Sequence, residues 1–255
     1  MDMPEDAVGA RGNEEQALRG GSVDRSKLPA YPSFWDIAKL VIGANIVGLF
    51  SAIGPAIGHL PLFWTLAISS SVSSVWIVGR YRHLAHLRGW KSLGTQFAPV
   101  PGKALLLGIA LAVALILLLS CVSKGLEWAG IAISKPPRDA VMSGSVAELP
   151  ITVLLSVLLA PMAEELLFRG LLLDWLRRRI PAWAAAISLS ICFAFLHDNH
   201  FKSGAIGWVL FSSRFLLGVA ASHLALRFRS LRPSLVLHAT NNAFAVIASV
   251  FALRP

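Results

Sequence analysis

The feature that most constrains this chain is a series of long apolar runs separated by short basic loops. They fall at roughly 34–54, 62–79, 103–123, 148–173, 182–197, 205–226 and 233–253. About 20 consecutive apolar residues make a helix long enough to cross the hydrocarbon core, whereas a barrel strand alternates over about ten. In lipid every backbone N–H and C=O must be satisfied within the chain, so uninterrupted runs of this length fold as helices. Composition agrees, with 55% of the 255 residues hydrophobic and 15% charged, against about a quarter charged in an ordinary soluble domain. The expected fold class is all-α: a polytopic transmembrane bundle of about seven spans, within a range of six to eight.

Residues 1–33 are polar, with no apolar core of a signal peptide, and read as a disordered cytoplasmic tail. Residues 34–147 carry the N-terminal transmembrane helices and their loops. The segment 125–134 is too short to span, and Trp128 places it at an interface. Trp183 and Trp208 also fit interface anchoring. Cys121 and Cys192 each sit inside an apolar run and read as small buried hydrophobes rather than a disulfide.

The net charge of +9 is concentrated in loops. Arg80, Arg82, Arg88 and Lys91 crowd the second loop, Arg177, Arg178 and Arg179 follow span four, and Arg227, Arg229 and Arg232 follow span six. The loop 55–61 has no Lys or Arg, and 124–147 has only Lys124, Lys135 and Arg138. This asymmetry is a topology signal, with the N-terminus inside and the C-terminus outside, and argues against nucleic-acid binding. The expected location is a bacterial inner membrane, with the bilayer itself as one partner.

Three polar constellations interrupt the second half. The first is Glu164-Glu165-x-x-x-Arg169. Charged groups at membrane depth are costly, so each is by default a functional candidate. Glu165 and Arg169 are four apart on a helix, acid before base, and can pair. Glu164 points about 100° away and has no partner in its own helix. The second is Phe193-Ala-Phe-Leu-His197. A single such histidine usually packs at an interface. Here Glu164 lies 16 residues before Ile180 and His197 lies 16 after Pro181. At 1.5 Å per residue both stand about 24 Å from the turn, at matching depth in antiparallel neighbours. The third is His238-Ala-Thr-Asn-Asn242, whose first and last members share a helix face. The ordinary role of such residues is interhelical hydrogen bonding. His238 reaches the depth of Glu164 only if the Arg177–Arg179 end protrudes. Asp198, Asn199 and His200 read as loop residues, Arg214 as a weaker candidate, and His59 and His223 as structural or interfacial.

A proton-coupled transporter could use a buried Glu and His, but inverted repeats and broken midplane helices are not evident. A hydrolase uses the set more completely. Glu164 would take a proton from water, His197 would hold and polarise that water, and His238 and Asn242 would donate to the oxyanion. No serine or cysteine is convincingly placed as nucleophile. Glu164, His197 and His238 could alternatively bind a divalent metal such as zinc, although no HExxH helix is present.

These three motifs, in order on successive apolar spans, resemble the CPBP family: the CAAX proteases and bacteriocin-processing enzymes, also called Abi, related to the Rce1-type CAAX prenyl endopeptidase. The resemblance covers about 148–250, and implies a catalytic membrane domain over 148–253. It implies an intramembrane endopeptidase in which Glu164 and His197 activate water, His238 and Asn242 form the oxyanion site, and Glu165 and Arg169 support them. The implied substrate is a peptide or lipidated protein in the membrane. In the favoured reading no cofactor is required; the enzymatic alternative is a zinc protease using the same residues. A non-catalytic membrane partner or bacteriocin-immunity protein is the alternative from another class.

Overall fold

The computed structural model describes residues 32–60, 62–131, 149–197 and 204–252. Residues 1–31 of the expected tail, most of the 124–147 loop, and Asp198, Asn199 and His200 lie outside the described residues. The elements are α1 (Phe34–Ile57), α2 (Leu62–Arg88), the single turn α3 (Leu93–Gln96), α4 (Gly102–Trp128), α5 (Leu149–Leu176), α6 (Ala182–His197), α7 (Gly204–Phe228) and α8 (Arg232–Ala252). No strand occurs among the described residues. Apart from α3, the helices overlie the seven expected spans. Of these α1, α4, α5 and α7 are long and apolar enough to cross a membrane, and α6 is a shorter apolar helix of 16 residues.

Two expectations need correction. Residues 125–128 do not form a separate interfacial segment but continue α4 to Trp128. Lys124 and Glu127, paired at 2.8 Å three residues apart, lie along that last stretch, and residues 132–134 lie outside the described residues. Cys121 and Cys192 are exposed, not buried. In a lipid-facing surface an apolar thiol is as well placed outside the bundle as inside it.

The bundle is apolar outside as well as in its core, with a few polar residues buried among the helices, the pattern of an integral membrane protein. Leu49, Phe50, Leu66, Leu106 and Leu117 face outward, whereas Thr152, Glu165, Arg169, Ser190, Ser222 and His238 are buried. Because lipid tails are as apolar as leucine, helix association here rests on close approach and polar contacts. In the α1–α2 hairpin, Ser69 Oγ donates to the Gly48 carbonyl at 2.9 Å and Ser73 Oγ to the Ala44 carbonyl at 3.1 Å. A Ser33–Asp36 capping box starts α1, and Arg88 reaches back from the end of α2 to Asp36.

Helix α5 runs through the middle. One side packs Leu166 and Leu171 with Tyr81, and the other sets Phe168 among Phe193, Leu217 and Leu237. Helices α4 and α8 touch so closely that a Cβ on Gly108 would lie 2.6 Å from the Pro233 carbonyl oxygen and 3.3 Å from Leu237 N. Backbone atoms cannot swing aside as a side chain can. Gly108→Ala is therefore expected to part α4 from α8 and cost about 1–3 kcal/mol. Thermal unfolding in detergent checks this, and a variant melting at or above wild type contradicts the close approach.

Candidate active site

The acidic pair sits where α5 changes winding. Leu154–Leu159 and Leu166–Leu172 are π-helical, and Ala160–Glu165 is the α-helical turn between them. Single π turns inside helices are rare and concentrate at functional sites. The first one has a legible cause. Ala160 N–H reaches back to the Leu155 carbonyl, five residues away, and so misses Ser156. The next residue, Pro161, has no N–H to give. The Ser156 carbonyl is left without a helical partner, and Asn242 Nδ2 donates to it at 2.8 Å across the α8–α5 contact. Asn241 Nδ2 donates to Asn242 Oδ1 at 3.5 Å, which is consistent with the same amide orientation.

Glu165 is fully buried in an ion pair. Arg169 Nη1 donates to its Oε1 at 2.9 Å, and His238 Nδ1 lies 3.0 Å from the same oxygen. Arg169 also spends Nη2 on the Gly218 carbonyl of α7 at 3.3 Å, and its guanidinium lies 4.7 Å from the Phe193 ring centroid. One arginine thus joins α5, α6 and α7. Phe193, itself fully buried, stacks edge-on to Phe168 at 5.1 Å and packs on His197 at 4.1 Å and His238 at 5.8 Å between centroids.

Glu164 has a different environment. Its side chain is 28% exposed, against 0% for Glu165. Its Oε2 lies 3.4 Å from His197 Nε2 and 3.6 Å from His238 Nε2, and makes no hydrogen bond among the described residues. His197 Nδ1 lies 2.8 Å from the Phe193 carbonyl. A carbonyl only accepts, so Nδ1 carries the hydrogen. In the neutral ring Nε2 is then an acceptor facing an acceptor carboxylate.

The structure therefore gathers Glu164, Glu165, Arg169, His197 and His238 at one level of the bundle. Asn242, expected beside His238, instead bonds the Ser156 carbonyl. Residues four apart share a helix face but differ by about 6 Å in depth, so His238 meets the glutamates while Asn242 meets the π turn. Arg214 lies on α7 with a buried Nε that has no hydrogen-bond partner among the described residues. His59 and His223 are exposed. Sequence reasoning missed Ser156 and Gly218, whose roles are carried by backbone carbonyls. Pro161 next to an acidic pair was the available clue.

Among the described residues no group of three His, Cys, Asp or Glu side chains is picked out as able to hold a metal ion. The Nδ1 atoms of His197 and His238 are engaged by the Phe193 carbonyl and by Glu165, which leaves both Nε2 atoms turned towards Glu164.

Residues 146–244 match the family model described as type II CAAX prenyl endopeptidase Rce1-like. The match takes in α5, α6, α7 and most of α8 and leaves α1–α4 outside it. No curated protein and no solved structure matches the chain significantly.

Proposed function

We propose, for a chain whose residues 146–244 belong to the CPBP, Rce1-type family, that it is an intramembrane endopeptidase in which Glu164 activates the attacking water. The observation that carries this reading is the partly exposed Glu164 side chain, whose Oε2 faces the Nε2 atoms of His197 and His238 at 3.4 and 3.6 Å. A water held beside the pair, on the accessible side of Glu164, would donate one hydrogen to the carboxylate, with His197 Nε2 next to it. Glu164 takes the first proton as the water oxygen attacks the peptide carbonyl carbon. When His238 is protonated on both nitrogens, Nδ1–H remains with Glu165 and Nε2–H is available to the oxyanion. The second amide hydrogen of Asn242 is the other candidate donor. Collapse of the tetrahedral intermediate breaks the C–N bond, and the proton held by Glu164 passes to the leaving amine.

Glu165 and Arg169 act through position. Arg169 pairs with Oε1 of Glu165, and together they fix Nδ1 of His238 and the stack under Phe193. The substrate would be a peptide or lipidated-protein segment entering from the bilayer, with the arginine-rich face of the bundle cytoplasmic. No metal takes part in these steps. Cleavage of membrane peptides by the protein in proteoliposomes, followed by mass spectrometry, is expected to persist after treatment with 1,10-phenanthroline and EDTA. His197→Gln is expected to lower kcat about 10²-fold or more. Loss of cleavage on chelation with recovery on adding zinc would overturn the metal-free mechanism, and an unaltered His197→Gln would remove that histidine from it.

A further inference from the structure

At the arginine-rich end of α5, apart from the Glu164 gap, lies a second cavity of about 160 Å³. Lys91, Arg169, Arg177 and Arg229 line it against one carboxylate, Asp174. Arg177 pairs with Asp174, and Arg169 with Glu165 behind the wall, so four positive charges stand against two negative ones around the cavity. The volume holds a tetrahedral oxyanion with a few waters, at about 30 Å³ for each water-sized group.

The walls are tied together by hydrogen bonds to backbone carbonyls. Leu231 N–H donates to the Gln96 carbonyl at 2.8 Å, Ser230 Oγ to the Ala98 carbonyl at 2.7 Å, and Gln96 Nε2 to the Gly170 carbonyl at 3.2 Å. Tyr81 also donates its hydroxyl hydrogen to the Lys91 carbonyl. The ends of α2, α5 and α7 and the α3 turn are thereby held in one arrangement. Like charges gathered this closely repel.

A second, independent observation concerns Arg229. Its φ is +50°, in the left-handed region that glycine occupies freely and other residues occupy at a cost. An arginine at this position bears backbone strain while adding a fourth cation to the cavity.

We infer that this cavity is a binding site for a phosphate-bearing anion. Guanidinium and ammonium groups converging on a small polar cavity match phosphate oxygens in charge and in donor geometry. Two sources have this chemistry, an anionic lipid headgroup at the membrane surface and a free phosphate from the aqueous phase.

Two arms separate them, both on the full chain in nanodiscs. In the first, discs of phosphatidylcholine with phosphatidylglycerol are analysed by native mass spectrometry for retained lipid. In the second, discs of phosphatidylcholine alone are titrated with inorganic phosphate while thermal unfolding is followed. Retention of one phosphatidylglycerol per chain in preference to phosphatidylcholine identifies a headgroup. Saturable stabilisation by phosphate without that retention identifies a free anion. In whichever arm responds, Arg229→Gly and Lys91→Ala are each expected to weaken binding about tenfold. Arg229→Gly suits the backbone of this position, so it is expected to fold at least as well as wild type, and its loss of binding reports the missing charge. Response in neither arm, or equal binding by wild type and Arg229→Gly, overturns the proposal.

Discussion

Glu164→Gln is expected to abolish peptide cleavage, lowering kcat about 10²–10⁴-fold, while the protein still folds. General-base catalysis contributes gains of that size, and the amide keeps the shape of the carboxylate but cannot accept a proton at working pH. Its new N–H₂ can donate to His197 Nε2, which in the neutral ring faces Glu164 as an acceptor across 3.4 Å. Thermal stability is therefore expected to be equal to or higher than that of wild type. The effect should fall on kcat with little change in KM, because the carboxylate acts on water more than on the bound peptide. A stable variant that retains full turnover would end the role of Glu164 as the base.

Arg169→Met is expected to have the largest effect on folding. The side chains of Arg169 and Glu165 are only 2% and 0% exposed. Removing one partner of such a pair leaves a buried charge and costs about 3–5 kcal/mol, a shift on the order of 10 °C in the unfolding temperature. The methionine also loses the hydrogen bond to Gly218 and the contact over Phe193, which link α5 to α7 and α6. The double variant Glu165→Gln with Arg169→Met removes both charges and should regain part of the lost stability. Circular dichroism melts in detergent check both. An Arg169→Met protein that melts with wild type would show that the ion pair does not hold the helices together.

The two predictions separate neighbouring carboxylates that look alike in the sequence. Spacing made part of that separation legible. Glu165 and Arg169 are one turn apart and do pair, at 2.9 Å. Counting equal helical rises from the Ile180–Pro181 turn put Glu164 beside His197, and their polar atoms are 3.4 Å apart. The positions of the long helices follow from the apolar runs, because lipid leaves the backbone few alternatives.

What the sequence hid has a physical reason in each case. The π windings of α5 depend on which backbone N–H reaches which carbonyl, and a carbonyl has no side-chain signature. Thus Asn242, read as a partner of His238, is engaged with Ser156 through a hydrogen-bond vacancy opened by the π turn and Pro161. Residues 125–128, which read as part of a short interfacial segment, continue α4, because Gly125 and Glu127 both fit the last turns of a helix. Cys121 and Cys192 were placed inside because hydrophobicity marks the interior of soluble proteins. In a membrane protein it marks the surface equally well.

The most direct measurement is comparative peptidomics of membranes from cells producing wild type or Glu164→Gln at equal levels. The account predicts a set of new peptide C-termini, mapping to membrane-associated proteins, present with wild type and absent with the variant. Identical termini in the two samples would contradict it.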